Sequence, residues 1–217
     1  MEKKQKIPTE QEIREVLELR HTKTVQEKLA RARVAVCGLG GLGSAISIAL
    51  ARCGVGHLHL IDFDCVDLSN VNRQQYALSQ IGMPKPEAMA EEIRRFSPYI
   101  EIRTSHVKMT PDNAKELLSD ADYICEAFDA PEEKAMLTGL VLEQLPEKYL
   151  VGASGMAGYG SGNPIQTRKI LPHYYLCGDG VSEISEGWGL MAPRVMICAA
   201  HQANTVVELI VEGACTV

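Results

Sequence analysis

Residues 34–43 of this chain, Val-Ala-Val-Cys-Gly-Leu-Gly-Gly-Leu-Gly, decide its fold. A short apolar run ends in Gly38, Gly40 and Gly43, and an apolar segment with helical character comes next. Glycines at this spacing let the backbone turn tightly and bring a phosphate to the N-terminus of a helix. Gly41, next to Gly40, leaves further room for the backbone to approach such a ligand. Glycines alone also occur in turns that only need close packing, so the interpretation depends on the polar residues later in the chain.

Two acidic residues stand at the end of the next apolar run. Asp62 lies where a carboxylate can hold a ribose hydroxyl, about twenty residues after the glycines. Asp64 projects to the same side if the strand pleat continues, and magnesium prefers carboxylate oxygens together with phosphates. We predict that both residues bind nucleotide and that Asp64 also binds metal. The alternative is a pair of turn or N-cap aspartates in a solvated loop.

The segment 69–74, Ser-Asn-Val-Asn-Arg-Gln, adds polar groups that a nicotinamide enzyme does not need. Arg73 offers a fork that matches phosphate oxygens, and Lys85 supplies a compact positive charge. Lys85 stands between two prolines at a predicted helix start, where a cation is unfavourable unless an anion lies beside it. These residues favour a nucleoside triphosphate with a metal ion. For Lys85, a solvated surface position is the alternative.

Two further residues are candidates for chemistry. Asp129 ends the run 124–129 just before Pro131, which suits an N-cap, a metal-binding carboxylate, or both at once. Lys134, one helical turn later, can approach the same site. Cys177 opens the polar segment 177–191, predicted to be a loop, where an exposed thiol can act as a nucleophile or as an acyl acceptor.

Apolar periodicity and turn residues predict alternating strands and helices. The predicted strands are residues 33–37, 57–61, 100–106, 121–127, 149–153 and 164–171. The predicted helices are residues 10–19, 25–32, 41–53, 85–96, 111–119, 131–145 and 193–213. This alternation predicts an α/β fold that is Rossmann-like and doubly wound, with a mainly parallel sheet, helices on both faces and a C-terminal extension. Ligands are expected at the rim formed by the carboxyl ends of the strands.

Length and composition restrict the function. The chain has 217 residues and a formal charge of −6, which suits one domain and argues against broad nucleic-acid binding. We divide that domain into N-terminal helices (1–32), a nucleotide-binding core (33–153) and a C-terminal strand, crossover loop and helix (154–217). Seven cysteines without a Cys-x-x-Cys pair, no apolar leader and no membrane-length apolar run predict a cytoplasmic protein without zinc.

The combined motifs resemble the ThiF/MoeB/HesA family, the adenylation domains of ubiquitin-activating-type enzymes. They are Gly38-Leu-Gly-Gly-Leu-Gly-Ser44, Asp62-Phe-Asp64, the segment 69–74 and Lys85. The resemblance implies ATP and magnesium: Asp62 would hold the ribose, Gly40 and Gly41 the phosphates. Further implied ligands are Arg73 and Lys85 for the triphosphate, Asn70 and Gln74 for the nucleotide, and Asp129 for the magnesium. Arg20 is the nearest candidate for the arginine that family members supply from the opposite subunit of a homodimer.

Segments 126–134, 153–159 and 190–194 look most like the short thiamine-biosynthesis branch. The resemblance implies ATP-dependent adenylation of the Gly-Gly carboxyl terminus of a small ubiquitin-like sulfur carrier protein, with a sulfur donor enzyme as a further partner. Alternatives are the molybdopterin carrier or another sulfur carrier, an NAD-dependent dehydrogenase and a non-catalytic scaffold. The chain departs from the family at Ala130 and Lys134, where asparagine and arginine are frequent.

Overall fold

The computed structural model describes residues 7–185 and 187–217. Its centre is a seven-stranded sheet in the order β3-β2-β1-β4-β5-β7-β6. All neighbouring strands pair parallel except β6, which lies antiparallel to β7 at one edge. The strands are β1 (Arg33–Cys37), β2 (His57–Asp62), β3 (Glu101–His106), β4 (Tyr123–Glu126), β5 (Tyr149–Ala153), β6 (Gln166–Leu171) and β7 (Tyr174–Gly178).

Seven α-helices accompany these strands in the described part of the chain. They are α1 (Glu10–His21), α2 (Lys23–Arg31), α3 (Gly41–Cys53), α4 (Lys85–Arg94), α5 (Pro111–Leu117), α6 (Pro131–Gln144) and α7 (Ala192–Glu212). Short 3₁₀ turns cover Leu68–Asn70 and Leu78–Gln80. Thr9 and Glu12 form a capping box that starts α1, because each accepts the backbone N–H of the other. Across the residues described, no helix combines the length and the apolarity needed to cross a membrane.

Strand β1 shows why helices cover both faces of the sheet. Val34 and Val36 belong to the core under α3, α4 and α7, whereas Ala35 belongs to a second core under α5 and α6. Successive side chains of a strand point to opposite faces, so an uninterrupted apolar strand must be covered twice. The predicted Rossmann-like, doubly wound sheet is therefore confirmed.

The C-terminal region differs from the prediction. Strand β7 occupies Tyr174–Gly178 and pairs with β5, so the predicted loop does not begin at residue 177. Tyr175 and Cys177 are buried on one face of β7 while Leu176 is only partly buried. This alternation is the strand signal that the prediction missed, because the glycines and the acidic residue after Cys177 suggested a loop.

Helix α7 is fastened to the sheet by a buried glutamine. The side-chain amide of Gln202 donates to the carbonyl of Glu126 at 2.9 Å and to that of Val151 at 3.0 Å. These carbonyls belong to β4 and β5, so one side chain of the last helix connects two neighbouring strands. The strand order reverses between β1 and β4, and a crevice opens at the carboxyl ends there.

Candidate functional site

A cavity of about 700 Å³ opens at these carboxyl ends. One wall, called the β2 side, is formed by the glycine turn, the end of β2, the segment around Asn70–Gln74 and Lys85. The opposite wall, called the β5 side, is formed by residues 153–157 and 182–184 and by Leu190. Phe128, Asp129 and Lys134, which come after β4, lie between the two walls.

Most of the sequence-predicted residues line this cavity. They are Gly38, Gly40, Gly41, Asp62, Asp64, Asn70, Arg73, Gln74, Lys85 and Asp129. Gly43, Arg20 and Cys177 are not part of its lining.

The glycines of the turn have two different roles, one in backbone packing and one in bordering the cavity. Gly38 adopts φ +89°, and a Cβ at Gly43 would lie 1.8 Å from the carbonyl oxygen of Gly38, so these two positions close the turn. At Gly40 the nearest atom to an added Cβ is the side-chain nitrogen of Gln74, 3.9 Å away. Helix α3 begins at Gly41 with no side-chain cap at Gly40. Its first N–H groups therefore suit an anion in the cavity, and the turn fits a phosphate.

Asp62 fixes the glycine turn to the end of β2. Its carboxylate accepts the backbone N–H of Leu39 at 2.6 Å and that of Asp64 at 2.8 Å. Burial raises the pKa of Asp62 above its usual value, while the charge of Lys85 acts in the opposite direction. Asp62 thus shapes the turn and also borders the cavity, where contact with a ribose stays a prediction.

Lys85 is buried and paired. Its Nζ lies 2.7 Å from Oδ2 of Asp64, whose side chain is half exposed. This carboxylate provides the anion that a lysine at the start of α4 requires, and the solvated surface position is wrong for Lys85. Asp64 therefore meets a cation in this structure, and its predicted role in holding a metal ion stays a prediction.

The segment before α4 presents amide and guanidinium groups to the cavity. Arg73 donates to the side-chain oxygen of Asn72 at 3.0 Å and to the carbonyl of Ser69 at 3.4 Å. Gln74 is buried, and its Oε1 has no hydrogen-bond partner among the residues that are described. A buried acceptor without a partner costs free energy, which a ligand or a water can recover.

Asp129 is exposed at the cavity between β4 and α6. The N-cap position of α6 belongs to Ala130, so the N-cap alternative for Asp129 is wrong. An exposed carboxylate facing a crevice is available for a ligand. Among the residues that the structure covers, no three His, Cys, Asp or Glu side chains cluster as a metal site. Magnesium bound with phosphates commonly uses only one or two carboxylates, and Asp129 and Asp64 fit that need.

Glu126 is an important residue that the sequence prediction missed. It ends β4 with a side chain only 3% exposed, and both carboxylate oxygens contact Nζ of Lys134, at 3.0 and 3.2 Å. Lys134 also donates to the carbonyl of Ala153 at 3.0 Å, and the N–H of Phe128 donates to Glu126 at 2.8 Å. Burial raises the pKa of Glu126, and Lys134 opposes that shift. The pair joins β4, β5 and α6. The positive charge of Lys134 is therefore balanced by Glu126.

Two predicted catalytic residues lie elsewhere. Cys177 is buried in β7 with Sγ 3.4 Å from the hydroxyl oxygen of Thr167, and burial raises the pKa of its thiol. The prediction of an exposed thiol in a loop is therefore wrong, because burial and a raised pKa both oppose thiolate chemistry. Arg20 is exposed in the last turn of α1, outside the lining of this cavity. Its predicted role in an opposite subunit stays a prediction.

Comparison with known proteins identifies the family. Residues 13–214 match the model of the ThiF family. The chain belongs to the ThiF family. Among its relatives, the molybdopterin-synthase adenylyltransferase of Salmonella typhimurium is 30% identical over 191 residues, covering 85% of this chain and 75% of the relative. The tRNA threonylcarbamoyladenosine dehydratase of Escherichia coli is 41% identical over 110 residues, 50% of this chain and 41% of the relative.

Other relatives of this ThiF-family chain are longer. The adenylyltransferase and sulfurtransferase MOCS3 of Culex quinquefasciatus is 36% identical over 132 residues, which are 60% of this chain and 30% of the relative. The adenylyltransferase and sulfurtransferase UBA4 of Yarrowia lipolytica is matched over 47% of its length. The chain thus spans about a third to a half of the length of these two relatives.

Solved structures match the fold of the ThiF-family chain over nearly its whole length. The E. coli tRNA N6-threonylcarbamoyladenosine dehydratase in complex with ATP superposes with a TM-score of 0.85 at 22% identity, covering 96% of this chain and 98% of that chain. E. coli MccB with ATP superposes with a TM-score of 0.67 at 23% identity, over 88% of this chain and 60% of that one. At these identities the likeness shows the fold.

Proposed function

We propose that this chain uses ATP to adenylate the carboxyl terminus of a small ubiquitin-like sulfur carrier protein and releases pyrophosphate. The observation that carries the proposal is the set of groups that line one cavity. The uncapped start of α3, the basic residues Arg73 and Lys85 and the exposed carboxylate of Asp129 all border it. Lys85 is already paired with Asp64, whereas Arg73 borders the cavity with no acidic partner among the described residues and suits the longer phosphate chain of ATP, which disfavours the dehydrogenase alternative.

The reaction needs positioning more than proton transfer. A carboxylate is already ionised at neutral pH, so its oxygen can attack the α-phosphorus of ATP without a general base. A bond forms between that oxygen and the α-phosphorus, the bond to the β-phosphate oxygen breaks, and pyrophosphate leaves. Negative charge on the phosphate oxygens is stabilised by Arg73, by Lys85 and by the N–H groups at the start of α3.

Magnesium fits the remaining groups of the site. Asp129 and Asp64 would hold the ion together with the triphosphate, and it would neutralise charge on the phosphate oxygens. Two solved structures of similar fold contain ATP, which supports nucleotide binding by this chain.

For the carrier, we propose the protein that serves the thiazole step of thiamine synthesis. The support is the resemblance of segments 126–134, 153–159 and 190–194 to the short branch of the family. The molybdopterin carrier is the second candidate, because the Salmonella molybdopterin-synthase adenylyltransferase aligns over 85% of this chain. We place the reaction in the cytoplasm, with a sulfur donor enzyme acting on the adenylated carrier.

A different reaction is favoured by one specific observation. The E. coli tRNA dehydratase matches this chain at 41% identity over 110 residues, and 98% of its chain superposes. A dehydratase acting on a tRNA nucleoside is therefore the second candidate function. The formal charge of −6 opposes tRNA binding, since such proteins carry basic surface to meet phosphates.

The test is isotope exchange between labelled pyrophosphate and ATP. The purified protein is assayed alone, with a Gly-Gly-ended thiazole carrier, with a molybdopterin carrier and with tRNA. We expect exchange that depends on magnesium and on the thiazole carrier. Exchange with the molybdopterin carrier alone would move the assignment to that branch. ATP consumption that depends on tRNA, or no exchange with either carrier, would contradict the proposal.

We further propose that two copies form the working unit. Helix α1 contributes no buried residue to its own chain, and Val16 and Leu19 on it are exposed. A second copy would cover this surface and could bring Arg20 to the partner's cavity. Sedimentation equilibrium should give twice the chain mass, and Arg20→Ala should lower exchange while leaving that mass unchanged. A monomer that is fully active would refute this arrangement.

A further inference from the structure

A buried ion pair lies behind the β5 side of the cavity. Arg194 is in the first turn of α7 and Asp179 comes directly after β7, and their Nη2 and Oδ2 atoms are 2.6 Å apart. The two side chains are 6% and 5% exposed. Neither residue is part of the cavity lining, so any effect of the pair on a ligand acts through the residues that it holds.

The pair connects three segments of the chain. Oδ1 of Asp179 accepts the backbone N–H groups of Val181 at 2.9 Å and Ser182 at 2.8 Å, and the hydroxyl of Ser182 donates to Oδ2. Arg194 also donates to the carbonyl oxygen of Ser161. The segment that contains Ser182, the glycine-rich segment that contains Ser161 and helix α7 therefore meet at one buried pair of charges.

The backbone beside the pair connects the segment after β5 to the segment after β7. The N–H of Asp179 donates to the carbonyl of Gly155 at 3.0 Å, and that of Gly180 donates to the carbonyl of Ser154 at 3.0 Å. Gly155 has φ +82°, and a Cβ there would lie 2.1 Å from Oδ1 of Asp179. These two hydrogen bonds hold Ser154 and Gly155 against Asp179 and Gly180 just beyond the last paired residues of β5 and β7, and the wall approaches the Asp179 carboxylate so closely that only glycine fits.

We propose that the Asp179–Arg194 pair is a positioning device for the acceptor of the adenylation reaction. It fixes the distance between residues 154–157 and residues 182–184, the two segments that face each other on the β5 side. Most of the described residues on this side are small or apolar, and Glu183 is the ionisable side chain among them, which suits an extended, uncharged peptide tail. The inference rests on the proposed function and adds which residues set the affinity for the carrier tail.

The experiment separates acceptor binding from nucleotide binding. The double variant Asp179→Asn/Arg194→Gln removes both charges together, because removing one would leave the other buried and unpaired. We expect its KM for the Gly-Gly-ended carrier in pyrophosphate exchange to rise about tenfold or more, since small displacements of positioning groups are costly. We expect its Kd for ATP, measured by calorimetry, to stay within about twofold of the parent value. The single variant Arg194→Lys keeps both charges, so its KM for the carrier should lie between that of the parent and that of the double variant.

Amide hydrogen exchange gives a second readout that needs no carrier. In the double variant, peptides covering 154–163 and 179–185 should exchange faster than in the parent, and peptides covering α3 and β2 should not. Arg103→Met is the matched control, because it removes an exposed ion pair with Asp120 and should change neither measurement.

Three results would overturn the inference. In the double variant, these are an unchanged KM for the carrier, an equal change in the Kd for ATP, or faster amide hydrogen exchange over the whole chain. If the parent protein shows no carrier-dependent exchange at all, the proposed function itself has failed, which is a different outcome from the variants behaving like the parent.

Discussion

The two sides of the cavity are built in different ways. Residues of the β2 side lie within one stretch of chain from Gly38 to Lys85, and most of their polar groups contact neighbours in that stretch. The β5 side combines residues 153–157 and 182–184, which the pairing of β7 with β5 and the hydrogen bonds of Asp179 bring together. The β2 side carries most of the charges and the helix terminus, whereas the described residues of the β5 side are mostly small or apolar. In the proposed reaction, the phosphates would therefore meet residues that are close in sequence, and the acceptor would meet residues that long-range packing brings together.

The pair that joins the two sides should give the largest effect. Lys134→Met leaves the Glu126 carboxylate buried without a counter-charge and should reduce the free energy of unfolding by about 3 kcal/mol at pH 7. Burial raises the pKa of Glu126, so the folded protein binds a proton more readily than the unfolded chain. The free energy of unfolding that Lys134→Met loses at neutral pH should therefore be recovered as the pH is lowered toward the ordinary pKa range of a carboxyl group.

Urea unfolding at several pH values measures this effect. Lys108→Met is the control, since it breaks a more exposed pair with Glu133 and should cost about 0.5 kcal/mol or less. An equal cost for both variants would mean that the Glu126–Lys134 pair does not join the two sides.

Asp129 should give the next largest effect, because it lines the cavity between the two sides and is the proposed magnesium ligand. Asp129→Ala should lower pyrophosphate exchange about a hundredfold while the unfolding midpoint stays unchanged. The exposed residue Asp112, in the first turn of α5 and outside the cavity, provides the matched control Asp112→Ala. Exchange near the parental rate in Asp129→Ala would show that this carboxylate takes no part in the reaction.

The glycine turn tests the β2 side alone. Gly40→Ala places a methyl beside the start of α3, with no described atom nearer than 3.9 Å, so we expect a stable protein with about tenfold weaker ATP binding. Gly139→Ala on α6 is the control and should bind ATP normally. Gly43→Ala should instead fail to fold, because its methyl would overlap the carbonyl of Gly38. Normal ATP affinity in Gly40→Ala would argue against phosphate at this turn.

The smallest effect should come from His59, which does not line the cavity. Burial lowers its pKa to about 4, so the unfolded chain takes up a proton before the folded protein does. Stability should fall by about 1 kcal/mol between pH 7 and pH 5, allowing for the partial exposure of the ring. His59→Gln should flatten this dependence in urea titrations without changing the Kd for ATP. If the stability of His59→Gln still falls steeply between pH 7 and pH 5, a group other than His59 causes the dependence.

Sequence reasoning succeeded where the signal is local. The run 34–43 predicted β1, the glycine turn and α3, and the structure places Asp62, Arg73 and Lys85 on one cavity as predicted. Apolar periodicity also predicted α7 to within one residue at each end. Each of these elements depends on residues that are close in the chain, so their pattern is visible without tertiary contacts.

Prediction from sequence failed where contacts between distant segments determine the structure. Strand β7 is short and glycines come after it, so only its pairing with β5 identifies it as a strand. Glu126 looked like a polar interruption of an apolar run, because its partner Lys134 becomes adjacent only when α6 folds back against β4. Asp179 and Arg194 were not distinguishable from surface charges, since nothing near them in sequence indicates their burial. Cys177 was assigned to a loop for the same reason.

The contacts of Gln202 have a consequence for the order of folding. Until α7 has been synthesised, the Glu126 and Val151 carbonyls lack the amide that connects β4 to β5, and the apolar face over these strands is uncovered. The β2 side also depends on later residues, because β1 pairs with β4 and a Cβ at Gly41 would lie 2.9 Å from Val195 of α7. During translation, the nascent protein should therefore complete both sides of the cavity only after its last helix has been made, so affinity for the nucleotide should appear late.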